Sequence, residues 1–203
     1  MSNLRELTEL QESALKEIGN IGAGNAATSL SVMVNKVVDV TVPTCIRASF
    51  SEVPGMVGGE EIETAGILLG VEGDVLGKMM LLLSVDDSLA LIRLLMNIER
   101  PNDDPLNELE QSALREVGNI ITSSYLNSLA GFTNMKIIPT VPMLSIDMAG
   151  ALLNFALMEQ ALEGDDVLVI QTRFKVEGRE INGLFLFLPS QASLDGVFQR
   201  LGI

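Results

Sequence analysis

Apolar residues near the start of the chain recur at intervals of three and four. Leu7, Leu10, Ala14, Ile18, Ile21 and Ala26 mark one face of an amphipathic helix. The pattern then switches to strand over residues 36–42 and 44–50, interrupted at Pro43. Glycine, proline and acidic residues over 54–61 predict a loop. Residues 64–71 and 76–85 read as the two strands of a hairpin turning at Glu72-Gly73-Asp74. Asp86 and Asp87 open a helix that runs to about Asn97, with acids where the first turn favours them. A polar connector over 100–105 follows, and the order of elements starts again. A helix over 107–130 and a strand over 136–141 come first. A helix is then predicted over 144–162, with Ile146, Leu152, Leu153, Phe155 and Met158 as its apolar positions. A hairpin of 167–176 with 181–188, turning at Glu177-Gly178, and a last helix over 190–201 complete the chain.

The recurrence extends to individual residues. Ser13-Ala-Leu-Lys-Glu17-Ile-Gly-Asn20 returns as Ser112-Ala-Leu-Arg-Glu116-Val-Gly-Asn119, and Pro43 and Pro142 follow at the same distance. A duplication of this kind sets the architecture. The expected fold is α+β, internally duplicated and pseudo-two-fold symmetric, with two long exposed helices on a β-sheet. Its pseudo-repeats cover about 7–99 and 106–203 of a single domain spanning 1–203. Neither half is expected to bury both faces of its elements alone. The second copy differs by the helix over 144–162, where the first has its glycine-rich loop.

At about 100° per residue, Ser13, Glu17, Asn20 and Gly24 fall within roughly 60° of one another, well away from the apolar face. Glu17 with Asn20, and Glu116 with Asn119, are therefore displayed together as i,i+3 pairs. Gly19, Gly22 and Gly24 each cost about 1 kcal/mol against alanine inside a helix. Close packing of the two copies' helices, or a partner's surface coming down on the patch, would account for them. They form no dinucleotide fingerprint, because they continue a helix instead of following a strand. A carboxamide can hold a water through one donor and one acceptor for in-line attack on a phosphoryl group. A carboxylate three residues away can anchor a partner's lysine. Orientation of this sort supplies ~10²–10³ in rate, enough for a labile acyl phosphate. A solvated polar stripe is the bland alternative, which the duplication weakens without removing.

Composition narrows the chemistry. The 203 residues carry a net charge of −14, which argues against nucleic acid or an anionic membrane as partner. With no histidine and a single cysteine, Cys45, the chain has no His-Cys zinc site, Ser-His-Asp triad or disulfide framework. The greasy run over 67–85 is broken by Glu72, Asp74 and Lys78, so no membrane insertion is expected. The first six residues lack an apolar signal core, and a reducing cytoplasm is the expected location.

The pattern Ser-x-x-x-Glu-x-x-Asn with its following proline resembles the CheC/CheX/FliY family of chemotaxis phosphatases. The resemblance covers essentially the whole chain, including the run from Leu15 to Ala26 and the final Arg-Leu-Gly-Ile. It implies hydrolysis of the aspartyl phosphate on the response regulator CheY. Asn20 and Asn119 would orient the attacking water, and Glu17 and Glu116 would pair with the regulator's active-site lysine. Ser13 and Ser112, at the head of each stripe, would touch the same partner. The regulator would bring its own Mg²⁺, so no cofactor of the chain's own is expected. The family also implies binding of the receptor deamidase CheD, here placed around Ile146, Asp147 and Met148. The chain is expected to act as a monomer. The alternative is a non-catalytic adaptor for a response regulator or a flagellar-switch component. One departure from the pattern is the second copy's Gly118-Asn119-Ile-Ile-Thr-Ser-Ser, which lacks the later glycines of the first.

Overall fold

The computed structural model describes residues 7–98, 104–158 and 166–203. The N-terminal six residues, the connector over 100–103 and the expected helix end at 162 lie outside these. The chain opens with α1 (Glu9–Val34), β1 (Val38–Ser49) and the single turn α2 (Val53–Met56). The hairpin β2 (Glu63–Gly73) and β3 (Gly77–Ser84) and helix α3 (Val85–Met96) follow. The second copy contains α4 (Glu108–Thr133), β4 (Ile137–Pro139), β5 (Met143–Met148) and α5 (Ala149–Met158). It closes with β6 (Asp166–Val176), β7 (Arg179–Pro189) and α6 (Gln191–Leu201).

All the strands join one antiparallel sheet in the order β1-β6-β7-β3-β2-β4, with β5 also paired to β2. The copies are interlaced. The first strand of each half pairs with the hairpin of the other: β1 with β6, and β4 and β5 with β2. The hairpins meet at the centre through β3 and β7. On the spacing that matches Asn20 to Asn119, β1 corresponds to β4 and β5 together, from Val38/Ile137 to Ser49/Met148.

This correspondence corrects the helix expected over 144–162. Residues 143–148 are a strand in register with β2, Met143 opposite Leu68 and Met148 opposite Glu63. Helix begins only at Ala149. Pro142 and the alternation of Leu144, Ile146 and Met148 suit an extended chain, and pairing with β2 decides between the two periods.

The sheet is covered on both faces. Leu15, Ile18, Ala26 and Leu30 of α1 and Leu114, Val117, Ile121 and Tyr125 of α4 join α3 and α6 over one face, against Val40, Ile67, Leu81 and Phe185. Leu152, Leu153 and Ala156 of α5 and Val53 of α2 close the other, against Leu68, Leu82, Val169 and Leu186. Both long helices start with capping boxes, Thr8 with Gln11 and Asn107 with Glu110. Both end at a left-handed asparagine, Asn35 and Asn134, each with φ 53°.

Candidate active site on the two long helices

α1 turns Leu15, Ile18, Gly19, Gly22, Ala23, Ala26 and Leu30 inward. Ser13, Glu17 and Gly24 are exposed on the opposite side, with Asn20 half-buried at its flank. The inward face differs from the one expected: Leu10 (61 % exposed) and Ile21 (38 %) lie outside with the stripe. Small residues take their place inside because α1 runs close against α4. A methyl group on Gly22 would stand 2.8 Å from the Cα of Tyr125, so this glycine serves helix packing. One on Gly24 would meet nothing within 4 Å, which leaves an open spot on the displayed face. Gly19 faces Val42 at ordinary contact distance.

Asn20 is fixed from outside its helix. The pairing of β1 with β6 shifts by one residue between Thr41 and Thr44, around Pro43. The shift is a bulge, and it changes which side chains face α1, from Val38, Val40 and Val42 before it to Cys45 after it. The N–H of buried Val42 points away from β6 and donates to the Oδ1 of Asn20 at 3.2 Å. Farther along α1, Ser31 serves the same edge: its Oγ accepts from the Val38 N–H at 2.9 Å. The helix thus blunts an edge strand, and one of the groups doing so is the candidate catalytic carboxamide.

In the second copy Ser112 and Glu116 are exposed and Asn119 is half-buried, as in the first. α1 and α4 share one face of the sheet, so both stripes look away from it. Neither Glu17 nor Glu116 has an ion-pair partner among the described residues. The asparagines differ in their supports. Asn119 Oδ1 receives only a long contact from the Ser123 hydroxyl, 3.5 Å, within its own helix. Val141, which corresponds to Val42, is 84 % exposed, and no bond from it to Asn119 occurs among the described residues.

Local packing explains the difference. Thr140 donates its N–H to the Gly70 carbonyl at 2.9 Å, and its Oγ1 accepts the Gly70 N–H at 2.8 Å. A side chain at Gly70 would press on Thr140 at 3.1 Å. The corresponding residue of β6 is Arg173, which leaves no such seat. With Thr140 drawn onto β2, residues 140–142 leave the strand and Val141 turns to solvent. The Val42 amide and Ser123 carry no sequence signature of their own. The repeated proline, Pro43 and Pro142, is the one signal the sequence offers there.

Ile146, Asp147 and Met148 are exposed together on β5, with the Asp147 carboxylate accepting the Met148 N–H at 2.8 Å. They sit on an edge strand and not on a helix. Among the described residues no group of three or more His, Cys, Asp or Glu could hold a metal ion. No described helix is long and apolar enough to cross a membrane. Beneath the stripes, burial pushes the Cys45 thiol up to about 12, with the Glu12 carboxylate adding to the effect. Burial likewise pushes the Tyr125 phenol up to about 12, against the hydrogen bond it makes with Thr172.

Fold and site together define an internally duplicated α+β protein that presents one Glu/Asn pair from each of two helices on the same side. Comparison with known proteins agrees with that class. The family model described as the CheC-like family matches residues 10–47 and again 109–146, the two copies of helix and first strand. The "CheY-P phosphatase CheC" of Bacillus subtilis is 34% identical over 206 residues, covering 100% of this chain and 99% of that protein. The chain belongs to the CheC-like family. The "Flagellar motor switch phosphatase FliY" of the same organism is 27% identical over 133 residues, 65% of this chain and 34% of that protein. Among solved structures, Thermotoga maritima FliY superposes with a TM-score of 0.75 at 21% identity, covering 97% of this chain and 98% of that one. The FliM middle domain from H. pylori gives 0.71 at 10%, covering 96% and 99%. At these identities the structures speak for the fold.

Proposed function

We propose that the chain is a protein phosphatase that hydrolyses the aspartyl phosphate of the chemotaxis response regulator CheY. The observation that carries this reading is the Glu/Asn pair, kept at the same spacing in both copies, with the glutamate exposed and the asparagine half-buried beside it in both. It occurs in a chain that aligns over its whole length with a protein described as a CheY-P phosphatase. Glu17 or Glu116 docks on a lysine of the regulator, which brings the neighbouring carboxamide to the phosphoryl group. Asn20 or Asn119 holds a water in line. The water oxygen forms the new P–O bond as the bond to the aspartyl oxygen breaks. The electron pair leaves with the aspartate carboxylate, and the water's protons pass to phosphate and solvent. The metal of this reaction, Mg²⁺, belongs to the regulator. Ser13 and Ser112 frame the contact. Exposed Ile21 beside Asn20 adds apolar area to it.

The same reading gives the protein a second partner, the deamidase CheD, on the exposed edge at Ile146, Asp147 and Met148, and has it act as a cytoplasmic monomer. The test is the decay of phosphorylated CheY with catalytic amounts of the chain. Acceleration of roughly 10²-fold at saturation is expected, the range that orientation provides. Binding without acceleration would leave a non-catalytic adaptor.

A further inference from the structure

The two asparagines have the same neighbours in sequence and different supports in space. Asn20 accepts a backbone N–H from β1, outside its own helix, at 3.2 Å and from buried Val42. Asn119 has a rotatable hydroxyl at 3.5 Å, at the limit of hydrogen bonding. A planar carboxamide held at its oxygen has its NH₂ direction fixed as well, and the oxygen keeps a second lone pair. We propose that the Val42 N–H, presented by the bulge at Pro43, is the positioning group of the first site, and that the second site works without an equivalent. This proposal rests on the phosphatase reading.

Catalysis by orientation depends on the fraction of time the group points correctly. In the first site that fraction is set before the substrate arrives. In the second, docking must order Asn119 itself. Site one, working alone in Asn119→Ala, should therefore turn over faster than site two alone in Asn20→Ala. Val42→Pro removes the N–H without touching the ladder to β6, because that N–H faces off the sheet. In the Asn119→Ala chain it should lower kcat about threefold to tenfold, the size of one net hydrogen bond, with KM unchanged. Its loss should overlap with that of Asn20→Ala instead of multiplying it, as for two groups acting through one interaction.

Amide exchange gives a readout that needs neither the proline variant nor activity. In the wild-type chain the Val42 amide should be protected. In Asn20→Ala its exchange should rise by about tenfold or more, while the Val38 amide, held by Ser31, keeps its rate. Equal exchange of Val42 in both chains would overturn the proposal. So would a Val42→Pro loss that is the same in both single-site chains, or a second site that alone matches or exceeds the first. A wild-type chain that does not accelerate phosphorylated CheY decay would sink the phosphatase reading, and the exchange data would still decide the restraint on Asn20.

Discussion

Cys45 lies beneath the displayed helices and Tyr125 on the inward face of one of them, and both are kept neutral by burial. Each has a folded-state value of about 12, against ordinary values of 9.0 and 10.0. Above pH 9 the unfolded chain gives up protons that the folded chain keeps, so stability falls as pH rises. These groups contribute in full below pH 9 and lose their contribution up to pH 12, by as much as about 1.4 kcal/mol per pH unit each. Urea midpoints measured from pH 7 to 11 should hold to pH 9 and then decline. Cys45→Val should delay the decline towards the tyrosine's range. An unchanged onset would show that the thiol is not desolvated. At this scale the sequence exposed Glu17, Asn20, Glu116 and Asn119, because a duplicated core has no need to keep them. It hid the Val42 N–H, since every residue but proline carries one and only the bulge aims it at Asn20. Leu10 and Ile21 misled for another reason: hydropathy ranks them above the glycines and alanines that close helix packing buries.

Among the elements, the paired helices give the sharpest prediction. Gly22→Ala places a methyl group against the backbone of α4 at Tyr125 and should destabilise by about 1–3 kcal/mol. Gly24→Ala meets open space and gains helix propensity, about 1 kcal/mol. Thermal melts should move apart accordingly, Gly22→Ala downward and Gly24→Ala upward by about 2–4 °C per kcal/mol. Equal shifts would contradict the close crossing. The existence of the long helices was legible because an apolar repeat of three and four residues is a local signal. The segment over 143–148 was not, since Leu144, Ile146 and Met148 also fit a helical stripe over so short a run. Its counterpart over 44–49 had the signal: that stretch reads as a strand, and the repeat equates the two.

For the molecule as a whole, the duplication was plain in sequence but its interlacing was not. Each first strand finds the other half's hairpin, and no side-chain pattern says which of two similar hairpin edges a strand will choose. The consequence is a single sheet that carries both long helices on one face and so turns both Glu/Asn stripes the same way. The central claim is that these stripes hydrolyse an aspartyl phosphate by orienting water. It is tested most directly by turnover of phosphorylated CheY with wild type, Asn20→Ala, Asn119→Ala and the double variant, beside binding of each. The account predicts that the double variant binds CheY and has lost turnover, while each single variant retains part of it. Turnover that survives removal of both carboxamides would contradict it.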